Sequence, residues 1–79
     1  MSDDTRHIRE RFPKKSYIIE LLTDKDPEFL TLCEDYGACV DALAYWTNSN
    51  APEAKIRVEE YRVIIEELEE EIAQILVAV

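Results

Sequence analysis

Residues 26–48 read DPEFLTLCEDYGACVDALAYWTN, and this stretch decides the fold. Asp26 can accept from the free N–H groups of a first helical turn, Pro27 suits the first helical position, and Glu28 complements the positive helix end. Apolar residues then follow in two adjacent stripes. Phe29, Leu32, Tyr36, Cys39, Leu43 and Trp46 alternate steps of three and four, and Leu30, Cys33, Gly37, Val40, Ala44 and Thr47 repeat that spacing one position on. Each is a heptad seam, so a single helix offers two apolar stripes about 100° apart.

Downstream, Thr47-Asn48-Ser49-Asn50-Ala51-Pro52 breaks the pattern. Asn50 followed by Glu53 reads as a capping box with Pro52 in the first turn. A second long helix follows, with the seam Ala54, Val58, Tyr61, Ile65, Leu68, Ile72, Ile75 and Val79, widened by Val63, Ile64 and Leu76. Two long helices with so short a connection are antiparallel neighbours. Upstream, Pro13 opens a short amphipathic segment over Lys14–Leu22 whose apolar face is Tyr17, Ile18, Leu21 and Leu22, and Thr23-Asp24-Lys25-Asp26 reads as a turn. Residues 1–12 read as a polar basic arm, frayed or marginally helical. The expectation is an all-α chain: an antiparallel two-helix hairpin over 13–79 with a short N-terminal helix (helices about 14–22, 27–48 and 52–78), dimerising into a four-helix bundle.

The expectation of a dimer comes from the stripes. One stripe of the 27–48 helix meets the return helix and the other lacks cover. An exposed row of this kind would be a contiguous apolar patch of several hundred Å². Two hairpins packed face to face bury both stripes, and the 14–22 helix is the competing cover. The residues expected to carry core and self-association are Phe29, Leu32, Tyr36, Leu43 and Trp46 on one helix and Tyr61, Ile65, Leu68 and Ile72 on the other. Gly37, costly in mid-helix, marks a close approach of a neighbouring helix.

Charge limits the partners. The 79 residues carry a net −9, unevenly distributed. Residues 1–15 hold five basic groups against three acidic, net +2; the rest hold four against fifteen, net −11. An acidic body repels nucleic acid and anionic membranes, so neither is expected as a partner, although the basic arm could touch an anionic surface. The glutamates Glu59, Glu66, Glu67, Glu70 and Glu71 form a face that a basic protein could neutralise; an acidic adaptor or regulator is the alternative reading. Met1-Ser2-Asp3-Asp4 does not open a secretory signal and no apolar run approaches a membrane span, so a cytoplasmic location is the default.

No enzymatic chemistry is expected. Di-iron bundles need inward glutamates with Glu-x-x-His pairs, whereas Ile65, Leu68 and Ile72 occupy the seam and the single histidine, His7, lies in the arm. Asp24-x-Asp26-x-Glu28 fails as a calcium loop because Phe29 stands where glycine is needed and Pro27 lies inside it. Cys33 and Cys39 lack a nearby base, and six residues along a helix put them about 9 Å apart, too far for a disulfide. They read as small apolar residues in a reducing compartment. No catalytic residue, metal site or cofactor is therefore expected.

Phe12-Pro13, Ile18-Ile19…Leu22, then Asp26-Pro27-Glu28-Phe29-Leu30-x-Leu32, and the ending Leu68-Glu69-Glu70-Glu71-Ile72-Ala73-Gln74-Ile75-Leu76 resemble the YdcH-like family of small bacterial helical-hairpin proteins over residues 12–76. The resemblance implies a helical hairpin in the bacterial cytoplasm. Glutamates stand where that family's return helix is rich in lysine, and Cys33 and Gly37 replace bulkier residues, so a partner held through a basic face does not carry over. The family has no established biochemical role, and no site residue is transferred.

Overall fold

The computed structural model describes residues 5–78. Asp3, Asp4 and the last seam position, Val79, lie outside them. Among the described residues all regular structure is helical: α1 (Arg6–Arg11), a 3₁₀ turn (Pro13–Lys15), α2 (Ser16–Lys25), α3 (Pro27–Thr47) and α4 (Ala54–Ala78).

Proline places the corners. The residue before proline is pushed out of the helical region by the ring. Phe12 accordingly sits at φ −126°, ψ 66° and ends α1, and Asp26 sits at φ −124°, ψ 100° between α2 and α3. Asp26 does double duty there. Its N–H donates back to Leu22 O at 2.7 Å, and its Oδ1 accepts from the N–H groups of Glu28 and Phe29 at 3.0 and 3.3 Å. Thr23, Asp24 and Lys25, read as a turn, are therefore the last turn of α2, because one extended residue suffices to reverse the chain. The third corner departs from the expected capping box. Pro52 and Glu53 lie in a turn and α4 starts at Ala54; the hydroxyl accepting at this corner is that of Ser49, from Ala51 N at 3.1 Å.

Helices α3 and α4 lie side by side in opposite directions. Tyr36 reaches Glu69 across the pair, while Trp46 lines common depressions with Arg57 and Val58 nearer the connection. The fully buried residues gather at the end away from the connection, the base: Phe29 and Cys33 of α3, Ile72 and Leu76 of α4, Ile8 of α1 and Ile19 of α2, with Tyr36 beside them. Towards the 48–53 connection, the tip, Ala54 alone among the described residues is buried.

Two expectations are corrected here. The 6–11 segment is not a frayed polar arm: it is helical, it packs on α3, and Ile8 is 0 % exposed. One isoleucine among charged residues carries no periodic signal, yet three-dimensionally it completes the core. The face of α2 is also turned by about one residue. Ile18, Ile19 and Leu22 pack inward, while Tyr17 and Leu21 face water. Both faces fit a helical period, and the inward one spares the Tyr17 hydroxyl from burial. Together α1 and α2 cover the second stripe of α3 at its base, where Cys33 and Gly37 are buried and Val40 packs on the core. Gly37 has ordinary helical geometry, so what it contributes is the missing side chain. Asp41, one turn further along the same face, meets His7 of α1.

Candidate functional site

Two side-chain arrangements lie outside the core. The first ties three helices to one atom. Glu69 Oε2 on α4 accepts the Tyr36 hydroxyl of α3 at 2.7 Å and Arg11 Nε of α1 at 3.1 Å. The Arg11 guanidinium also stacks on Phe12, 4.8 Å from the ring centre. Burial pushes the Tyr36 hydroxyl well above the ordinary phenol range; the Glu69 hydrogen bond and charge add to this and Arg11 opposes it. A neutral tyrosine donating to a carboxylate that an arginine neutralises is a stable structural clasp. Its atoms are mutually satisfied, which leaves them little capacity for proton transfer.

The second arrangement is a groove between α3 and α4 on the side away from α1. Its base half encloses about 370 Å³ between Asp35, Ala38, Cys39 and Ala42 of α3 and Tyr61, Ile64 and Leu68 of α4. Tyr61 and Ile64 continue it into a tip half of about 210 Å³ that adds Trp46, Arg57 and Glu60. The helices leave this channel because α3 supplies alanines at 38 and 42 where a larger side chain would fill the gap. Ile64 is 40 % exposed on its wall. Another depression of about 350 Å³, between the end of α3 and the start of α4, is lined by Trp46, Thr47 and Ser49 and by a mixed set on α4 including Lys55, Glu59 and Arg62.

The residues singled out from sequence divide between core and groove. Phe29, Tyr36 and Ile72 are buried in the core, and Leu32 and Ile65 pack against it, so these five have little surface to offer a partner. Trp46, Tyr61 and Leu68 line the groove, and Leu43 is half-buried. Of the row on α3 expected to carry core and self-association, Phe29, Leu32 and Tyr36 at the base thus belong to the core, and Trp46 towards the tip borders the groove. Cys39 stands in the first stripe and Ile64 beside the return seam, but neither was among the residues expected to carry association; Ala42 was missed because an alanine gives no amphipathic signal of its own. Ile8 is a missed core residue, and Leu76, expected only to widen the seam, is fully buried.

Of the acidic face, Glu66, Glu67, Glu70 and Glu71 are exposed, while Glu59 lies 3.9 Å from Arg62 on its own helix. Glu69, in the middle of that run, is instead the clasp. Cys33 and Cys39 are both free thiols. Burial, with help from Glu34, pushes Cys33 up to about 11, and burial with Asp35 raises Cys39. Both are then thiols rather than thiolates at neutral pH, the unreactive form. Among the described residues no cluster of three or more His, Cys, Asp or Glu could hold a metal ion, and no helix is long and apolar enough to cross a membrane. No family model, curated protein or solved structure matches the chain.

Proposed function

We propose that this chain is a non-catalytic helical interaction module: an antiparallel hairpin, clasped at its base by the N-terminal helices, that pairs with a second copy through the α3/α4 groove into a four-helix bundle. Surface area carries the reading. The protomer exposes 5717 Å², whereas a compact 9.2 kDa protein exposes about 4,900 Å². The excess of about 800 Å² matches what each partner loses in a standard protein interface, roughly 800 Å². Elongation accounts for it: the radius of gyration is 13.5 Å against about 12 Å for a compact chain of this length. The groove between α3 and α4 is open surface of this kind, walled largely by apolar side chains.

Light scattering tests the reading. The expected mass is near twice 9.2 kDa, falling to the monomer value in Ile64→Glu with the helical spectrum unchanged, since Ile64 lies on the surface of the protomer. A wild-type monomer at every concentration from low micromolar upwards would refute it. A second reading, an acidic adaptor for a basic protein, is favoured by the four exposed carboxylates at 66, 67, 70 and 71. Salt separates the two. Protomers of net −9 repel one another, so added salt strengthens self-association, whereas it sheds a basic partner.

A further inference from the structure

The groove has a twofold pattern of its own. Ala42 and Ile64 face one another across its middle, as the Tyr36–Glu69 bond fixes the level at which the antiparallel helices meet. From Ile64, seven residues towards the tip is Arg57 and seven towards the base is Glu71, each roughly 10 Å along the axis and on the same stripe. From Ala42, four residues towards the tip is Trp46 and four towards the base is Ala38, again on one stripe. The pattern is therefore a cation opposite an anion on α4, and a large ring opposite a small side chain on α3.

Resting on the self-association proposed above, we infer that the two copies pack head to tail about a twofold axis crossing Ala42 and Ile64. Arg57 of each copy then pairs with Glu71 of the other, and Trp46 of each fills the space above Ala38 of the other. Reversing α4 on its copy brings the levels 57 and 71 together and places Ile64 on Ile64. Arg57 already gives one N–H to Glu60 at 2.8 Å, and its forked guanidinium has further donors for a second carboxylate. Glu71 is exposed. A head-to-head pair instead stacks the acidic bases, with Asp35, Glu67 and Glu71 of both copies at one end. The head-to-tail pair holds those bases apart and sets each against a tip whose Arg57 and Glu60 balance.

Charge reversal decides it. Arg57→Glu and Glu71→Arg, made separately, each place two like-charged contacts across the interface and should raise the dimer dissociation constant about 10-fold. The double variant restores both pairs with reversed sign and should return to within about 3-fold of wild type. Sedimentation across a concentration series reads all four proteins. Ile64→Cys, in a chain also carrying Cys39→Ser, should oxidise to a covalent dimer, while Arg57→Cys in the same background should not. Single variants without effect, a double variant no better than the singles, or a ready Arg57→Cys homodimer would each overturn the arrangement while leaving self-association intact. A wild-type monomer would instead remove the reading on which it rests.

Discussion

Ile8 is the sharpest test of the base of the molecule. It sits among charged residues yet is 0 % exposed and belongs to the cluster of Ile19, Phe29, Cys33, Ile72 and Leu76. Ile8→Ala removes three carbon atoms, worth about 0.8 kcal/mol each in transfer free energy. The cavity left behind adds to that, for a total of about 3–4 kcal/mol, within the range for buried aliphatic truncations. A domain of 79 residues is stable by about 4–12 kcal/mol, so the loss is a large share of the whole. Urea unfolding at fixed protein concentration, followed by Trp46 fluorescence and by far-ultraviolet circular dichroism, measures it. Tyr17→Ala is the control, since its side chain is 75 % exposed and should cost under about 0.5 kcal/mol. If Ile8→Ala costs no more than that control, α1 does not dock in solution and the clasp has no energetic role.

Three further outcomes follow from the same geometry. Asp26→Ala removes the acceptor of two N–H groups at the start of α3 and should cost about 1 kcal/mol in the same assay, with Asp26→Asn largely restoring it. Tyr36→Phe deletes one donor to Glu69, but Arg11 still holds that carboxylate and water can reach it. Its cost should be about 1 kcal/mol, and it should speed hydrogen exchange in α1. For Cys33 the folded protein holds the proton more tightly than the unfolded chain, so its contribution is complete below pH 9 and is lost as pH rises from 9 to about 11. The stability of Cys33→Ala should fall less steeply than wild type across that window.

How much of this was legible in sequence depends on whether a residue signals through a period or through a contact. The all-α class, the start of α3 and the run of the two long helices follow from local chemistry, namely heptad spacing and an Asp-Pro-Glu opening, whereas the start of α4 at Ala54 does not. Ile8 gave no such signal, because a six-residue helix with one apolar residue is stable only when docked. The face of α2 was ambiguous because Tyr17, Ile18, Ile19, Leu21 and Leu22 support two overlapping stripes, and the choice between them lies with the surface of α3. The proposed association surface is narrower than two full stripes for a related reason. Sequence predicts one stripe without cover, but the chain itself covers α3 at the base with α1 and α2. What remained open was a channel bounded by Ala38, Ala42 and Ile64, residues whose significance comes from what they leave empty.

The clasp at Glu69 also fixes an order of events. Arg11 precedes its acceptor by 58 residues and Tyr36 precedes it by 33. On the ribosome, at roughly 5–20 residues per second, the carboxylate that α1 needs is added roughly 3–12 s after Arg11. Throughout that interval Ile8 has neither Ile72 nor Leu76 to pack against. Residues 6–11, translated before the helices they pack on, are thus among the last to dock.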